Sequence, residues 1–412
     1  TGQDAPRATG ALRSVCRPTL AACKPRFELR GRLFMDKPFW FLAAVSASQP
    51  EIIMRATTSE DRIKRLNKII LRCTLNQFLQ TLNGYTLTED KNAPTVVSFF
   101  SGGGGLDLGL SLAGFRTAYA SDLEKQHCET LQNNFPNAVI EAADINDSTG
   151  DHIRQITGIN QFDLMAGGPP CQAFSILGQR KACADPRGML VYQYVRMLNE
   201  LQPRAFVFEN VPGLLTVNGG QDWKEFLQYL EENTKYHFHY KVMNSADYGC
   251  PQIRKRVIIV GFKEDIPFEF PKPTHFEKPK DGQAGWVKSR FAFEDLEGVP
   301  NHVIRAHCDR VRNRYDKVKP GERDHTDHTD RVHPDRPSGT VLVGSRGGGG
   351  RPFIHPFDPR HITVREAARL QTFPDWYEFA NTTTWQYRAV GNAVPVLMAK
   401  AIGKAIKKAL GY

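Results

Sequence analysis

Apolar positions along the chain switch between two periodicities, and the switching predicts an α/β fold. Thr58-Ser-Glu-Asp61 reads as a capping box, and Ile63, Leu66, Ile70 and Cys73 follow it at helical spacing. Thr95 to Phe100 is β-branched and aromatic, breaks into Ser101 and four glycines, and resumes as a helical apolar pattern from Leu106 to Leu112. Strand, glycine turn and helix in that order make the first βα unit of a doubly wound sheet. A second short strand, Thr117–Ala120, ends in Ser121-Asp122, and a third precedes Asp144. Buried-strand runs recur at 162–166 and 205–209. The sheet is therefore expected to be largely parallel.

Composition narrows the class. The chain has 412 residues, with 41% hydrophobic and 24% charged, enough for a full core in two or three domains. A net charge of +10 favours a polyanionic partner. The eight cysteines form no C-x-x-C pair, which implies free thiols in a reducing compartment. The longest early apolar run, Phe39–Val45, is too short for a membrane span. Residues 1–53 begin with Thr1, are rich in Arg, Pro, Ala and Ser, and are expected to be poorly ordered. They read either as a transit peptide or as sequence upstream of a start at Met54.

Candidate chemistry gathers at strand ends. Phe162-Asp-Leu-Met-Ala-Gly-Gly-Pro-Pro-Cys171 is a strand running into a stiff turn that presents a thiol. A cysteine so placed is a better nucleophile candidate than a buried structural one. Glu209 ends the strand Phe206-Val-Phe-Glu, and Gln252-Ile-Arg-Lys-Arg256 puts Arg254 and Arg256 on one face of an extended segment. Asp122, about twenty residues beyond the glycine turn, is placed to take the ribose hydroxyls of an adenosine-type cofactor. Residue pattern alone leaves NAD, FAD and S-adenosylmethionine open, although four successive glycines do not favour a dinucleotide.

Gly-Gly-Pro-Pro-Cys-Gln, Glu-Asn-Val, Gln-x-Arg-x-Arg, the glycine turn, Thr363–Asp375 and Gln386–Pro395 together resemble the DNA (cytosine-5)-methyltransferases, in the family's order and over about 95 to 400. The resemblance implies a Rossmann-like S-adenosylmethionine-dependent methyltransferase sheet with a smaller, irregular β-rich target-recognition domain. It implies Cys171 as the nucleophile that adds to C6 of cytosine, Glu209 on N3 and the amine, and Arg256 on O2, with Arg254 beside it. It assigns the cofactor to Phe100, Gly102, Gly104, Gly105, Asp122, Leu123, Asp144, Ile145, Asn392 and Val394. Leu123 stands where the family often has an aromatic residue against adenine. DNA contacts are expected from Gln172, Ser175, Arg180, Thr340, Arg346 and Arg351, with Ala173–Arg187 as the loop that closes over a flipped base.

The resulting organisation is a disordered extension (1–53), a helical segment (54–93), a catalytic domain (94–285, completed by 385–412) and a recognition domain (286–384). His325-Thr-Asp-His-Thr-Asp330 fits no standard metal spacing and reads as a solvated loop, so no metal is expected. The compact pattern suggests a monomeric, cytoplasmic bacterial modification enzyme acting on double-stranded DNA, paired with a separate restriction endonuclease. A tRNA cytosine-C5 methyltransferase and a catalytically silent DNA-binding homologue are the alternatives.

Overall fold

The computed structural model describes residues 59–88, 90–170, 189–342 and 353–412. A seven-stranded sheet runs in the order β3-β2-β1-β4-β5-β7-β6. Its strands are β1 (Thr95–Phe99), β2 (Arg116–Asp122), β3 (Val139–Ala142), β4 (Leu164–Gly167), β5 (Ala205–Asn210), β6 (His237–Asn244) and β7 (Lys255–Phe262). The first five pair in parallel, and β7 runs antiparallel between β5 and β6.

The central strands carry no polar face because both faces are covered. Along β1, Val97 and Phe99 enter one core while Val96 enters the other, and along β5, Phe206 and Phe208 oppose Ala205 and Val207. That is the period-two alternation of a strand buried on both sides. One face packs against helices α5 (Met189–Leu201) and α6 (Gln221–Asn233). The other packs against α2 (Gly105–Leu112) and the C-terminal α10 (Val396–Ala409). A Cβ on Gly109 would collide with Ala399 and the α10 backbone, so the two helices meet nearly backbone to backbone. Helix α10 thus packs directly on the first βα unit of the sheet. No single helix among the described residues is long and apolar enough to cross a membrane.

Three expectations need correction. Helix α1 (Ser59–Asn83) forms, but its buried stripe is Leu75, Phe78 and Leu82, which packs on Phe291. Ile63 is 55% exposed. The helical spacing holds, and the deepest burial falls on the second half of the helix rather than on the first. Thr58 of the expected capping box lies outside the described residues. Second, residues of 286–384 have only a small cluster to themselves, Tyr315, Val318 and Ile354, and their larger core is shared. Phe293, Ile362, Ala367, Phe373, Tyr377 and Phe379 share one apolar cluster with Leu108, Ala120, Leu131 and Phe135 of the sheet domain. Third, the described part of that region is irregular but not β-rich. It holds a 3-10 turn, α7 (Asp309–Asp316), α8 (Val364–Leu370), α9's first residues (Thr383–Asn392) and only isolated bridges.

The Asp-His repeat lies at the surface as expected, with only Thr329 of His325–Asp330 buried, and it is flanked by ion pairs. Asp324 is 4% exposed and faces Arg314 Nε at 3.2 Å, Asp327 takes Arg314 Nη2 at 2.8 Å, and Asp330 takes Arg323 at 2.9 Å. Asp327 and Asp330 of the repeat thus pair with arginines.

Candidate active site

Strand order reverses between β1 and β4, and ligands of doubly wound sheets sit outside the carboxyl ends of the strands at such a point. A cleft of about 810 Å³ opens there. The glycine turn after β1, the acid at the end of β2, the turn after β4 and the end of β5 all line it.

On the β1 side the backbone itself forms the wall. Phe100 is held at φ 56°, a left-handed value that costs a non-glycine residue about 1–3 kcal/mol and persists where the surroundings enforce it. Gly102 follows at φ 53° with open space where a Cβ would stand, whereas a Cβ on Gly103 or Gly105 would strike the backbone at Ala389 or Val394. The C-terminal segment is therefore pressed onto the turn. The Gly102 N–H donates to Asp122 Oδ2 at 2.8 Å, and Asp122 Oδ1 takes the Glu124 N–H at 3.0 Å and His127 Nδ1 at 3.1 Å. Three bonds on a carboxylate with about four acceptor sites leave room for a ligand hydroxyl. Phe100, Gly102, Gly105, Asp122, Leu123, Asp144, Ile145, Asn392 and Val394 all line the cleft. Gly104 does not. It is the left-handed N-cap of α2 (φ 75°), directed at the Tyr377 hydroxyl and Leu131 behind the turn, and Gly103 lines the cleft in its place.

At the other end, Glu209 on β5 and Arg256 on β7 meet through Oε1 and Nε at 2.7 Å, with about a tenth of each side chain exposed. Antiparallel pairing of β5 with β7 sets this, since Glu209 is registered with Ile258, two residues from Arg256. The turn after β4 is fastened beside them: Asn210 Nδ2 donates to the Pro169 carbonyl at 2.9 Å. A Cβ on Gly168 would come within 2.8 Å of Glu209 Oε2. Gly168, Pro169 and Pro170 line the cleft. Cys171, Gln172, Ser175, Arg180, Arg346 and Arg351 lie outside the described residues. Thr340 is in the lining, and its hydroxyl donates to the Ile253 carbonyl at 3.0 Å.

Arg254 lines the same cleft as Arg256. It is 2% exposed and donates to the carbonyls of Val341 and Gly391, each at 2.9 Å, and it forms no ion pair with Glu209 among the described residues. Burial, and then the neighbouring Arg256 charge, push its pKa down to about 9. It clamps the chain at Val341 and the end of α9 at Gly391 to the sheet.

The pattern of the sequence did not single out Asp107, His127, Trp385 or Arg388, all of which line the cleft. Asp107 is fully buried in the first turn of α2, and its Oδ2 has no partner. Burial raises its pKa from 3.8 to about 6, against bonds from Ser98 and Ser101 that lower it. The folded state therefore binds this proton more tightly than the unfolded chain. Its cost to stability is absent below about pH 4, builds as pH rises through 6, and reaches about 3 kcal/mol above that. Asp107→Asn should accordingly raise the midpoint of thermal unfolding by about 5 °C at pH 8, with the difference closing towards pH 4.5. Equal midpoints at both pH values would show that the carboxyl is stabilised by something other than protonation.

Three comparisons bear on this geometry. The family model described as C-5 cytosine-specific DNA methylase matches residues 95–408. The chain is similar to the Type II methyltransferase M.XorII of Xanthomonas oryzae, 34% identical over 77% of this chain and 85% of that one. It is also similar to M.NgoFVII of Neisseria gonorrhoeae, 35% identical over 78% of this chain and 88% of the relative. Among solved structures, a candidate DNA modification methyltransferase from an Escherichia coli prophage superposes with a TM-score of 0.65. It is 25% identical and covers 78% of this chain and 100% of its own.

Proposed function

Because the chain belongs to the C-5 cytosine-specific DNA methylase family and is a DNA (cytosine-5)-methyltransferase, we propose that it methylates a cytosine turned out of the duplex, through a covalent Cys171 adduct. One observation supports this most: the Glu209–Arg256 pair and the turn leading to Cys171 share a cleft with the Asp122 and Asp144 carboxylates. Substrate and cofactor chemistry can then meet in one space.

The residues present fit S-adenosylmethionine. Gly102 leaves room for a ligand against backbone, Asp122 has acceptor capacity for a ribose hydroxyl, and Asp144 stands at the end of β3 for the adenine amine. The buried, unpartnered Asp107 Oδ2 and His127 Nε2 are polar atoms that a ligand would complete. When bound, that cofactor supplies a methyl group made electrophilic by its sulfonium.

The chain's own residues must make C5 nucleophilic. A Cys171 thiolate adding to C6 turns the ring into an enamine, and Glu209 neutralises the charge that develops at N3 while holding the amine. Arg256 orients Glu209 and takes O2. After transfer, loss of the C5 proton and β-elimination free Cys171. Arg254 holds the recognition segment in register. A base inside a duplex cannot reach Glu209, so the duplex must release it, and Ala173–Arg187 is read as the loop that closes behind.

The relatives' names, Type II methyltransferases, support a restriction-modification role, and the same reading includes a separate cognate endonuclease and a monomeric enzyme working on DNA in the cytoplasm. The test is to incubate the protein with methyl-labelled S-adenosylmethionine and, separately, duplex DNA and tRNA. Label recovered from DNA as 5-methylcytosine is expected. Label in tRNA alone would overturn the substrate and keep the mechanism, and none in either would leave a silent homologue.

A further inference from the structure

The nucleoside end of the cleft is half built on its β2 side. Leu123, 68% exposed, offers an aliphatic surface to a purine, where an aromatic ring would stack. The C-terminal segment brings Trp385, in the first turn of α9, into the same lining. Its ring meets His127 edge to face, with centroids 5.8 Å apart and planes at 86°. Arg388 lies over it with the guanidinium carbon 4.6 Å from the ring centroid. His127 in turn is bonded through Nδ1 to Asp122, so the indole is held by a side chain fixed to the acid at the end of β2. The indole N–H has no hydrogen-bond partner among the described residues, and the buried His127 Nε2 has none either. An indole kept in a cleft wall by two polar neighbours, rather than sunk in an apolar cluster, is placed to receive something.

We propose that Trp385 is the aromatic wall of the nucleoside subsite, so that the purine of the cofactor lies between Leu123 and the indole. This rests on the cofactor reading above. The aromatic surface has moved from the end of β2 to α9, and a segment far along the chain contributes directly to cofactor affinity. His127 is a positioning residue that fixes the ring. Arg388 backs the indole, and its charge strengthens the π-face it covers.

The test uses the full chain and S-adenosylhomocysteine, which binds without turnover, measured by calorimetry and by tryptophan fluorescence. Native protein should bind and its fluorescence should fall. Trp385→Leu should weaken binding about tenfold, the scale of one aromatic–base stack, while Trp385→Phe stays within about threefold and loses the ligand-induced quench, the other four tryptophans remaining. Leu123→Trp placed on the Trp385→Leu background should recover most of the affinity, because the ring is restored on the opposite wall. A structural role for Trp385 predicts no such recovery, so failure of Leu123→Trp and Trp385→Phe to bind better than Trp385→Leu overturns the proposal. So does a quench that persists in Trp385→Phe. Should the native chain itself fail to bind S-adenosylhomocysteine, the cofactor reading falls and this one with it.

Discussion

Replacing Cys171 by serine should leave a protein that binds S-adenosylhomocysteine with native affinity and transfers no measurable methyl group. C5 of cytosine is too electron-poor to attack a methyl sulfonium until a nucleophile adds at C6. A thiol supplies a few per cent of strongly nucleophilic thiolate at neutral pH, and a serine hydroxyl, without a general base beside it, supplies almost none. Loss of a covalent nucleophile removes a whole pathway, so a fall of about 10⁴-fold or more is expected. The turn leading to it is stiff as far as Pro170: two prolines, a carbonyl fastened by Asn210, and Gly168 tight against Glu209. Covalency has its own readout. A duplex carrying 5-fluorocytosine has no C5 proton to lose, so the native adduct cannot eliminate and should survive denaturing electrophoresis. Cys171→Ser should form no such band. A variant that kept a tenth of native activity would show that the thiol is not the group that adds to C6.

Much of this site was legible because the cleft is lined by residues at strand ends, and strand ends are marked by composition. β-branched runs stopping at Gly-Gly-Pro-Pro, at Glu209 and at Asp122 gave both the sheet and its working edge. What stayed hidden has a common cause. β6 is the exposed edge strand and mixes His, Tyr and Lys, so it carries no apolar signature. The bond partners of Arg254 are backbone carbonyls 87 and 137 residues away, which leave no trace in side-chain pattern. Gly103 and Gly104 look alike in a run of four glycines, and only the fold separates the one in the cleft lining, pressed against Ala389, from the one directed at Tyr377. Trp385 and His127 meet across 258 residues of chain, a distance over which spacing says nothing. The shared core of 290–379 with the sheet domain was hidden for a related reason. A short apolar helix such as α8 reads the same whether it packs on its own module or on a neighbour.

Glu209→Gln should lower kcat by about 10³-fold while leaving S-adenosylhomocysteine affinity within about twofold. The substitution keeps shape and an acceptor for Arg256, and removes the charge and the exchangeable proton. If Glu209 only held the cytosine in place, loss of one neutral hydrogen bond would cost about 1 kcal/mol, or less than tenfold. If it neutralises charge at N3 as Cys171 adds, the loss is that of a positioned proton donor, 10²–10⁴-fold. The magnitude therefore decides the role. Folding is the competing explanation, because taking one partner from a buried ion pair costs about 3–5 kcal/mol. Gln should cost less, since its amide oxygen still accepts from the Arg256 Nε now 2.7 Å from Glu209. Arg256→Met is the harsher change, as it leaves a carboxylate 9% exposed with no cation at bonding distance among the described residues. Its thermal midpoint should fall further than that of Glu209→Gln although its kcat falls less. The opposite ranking, with Glu209→Gln the less stable and the more active of the two, would make Glu209 the structural partner and Arg256 the group that carries the developing charge.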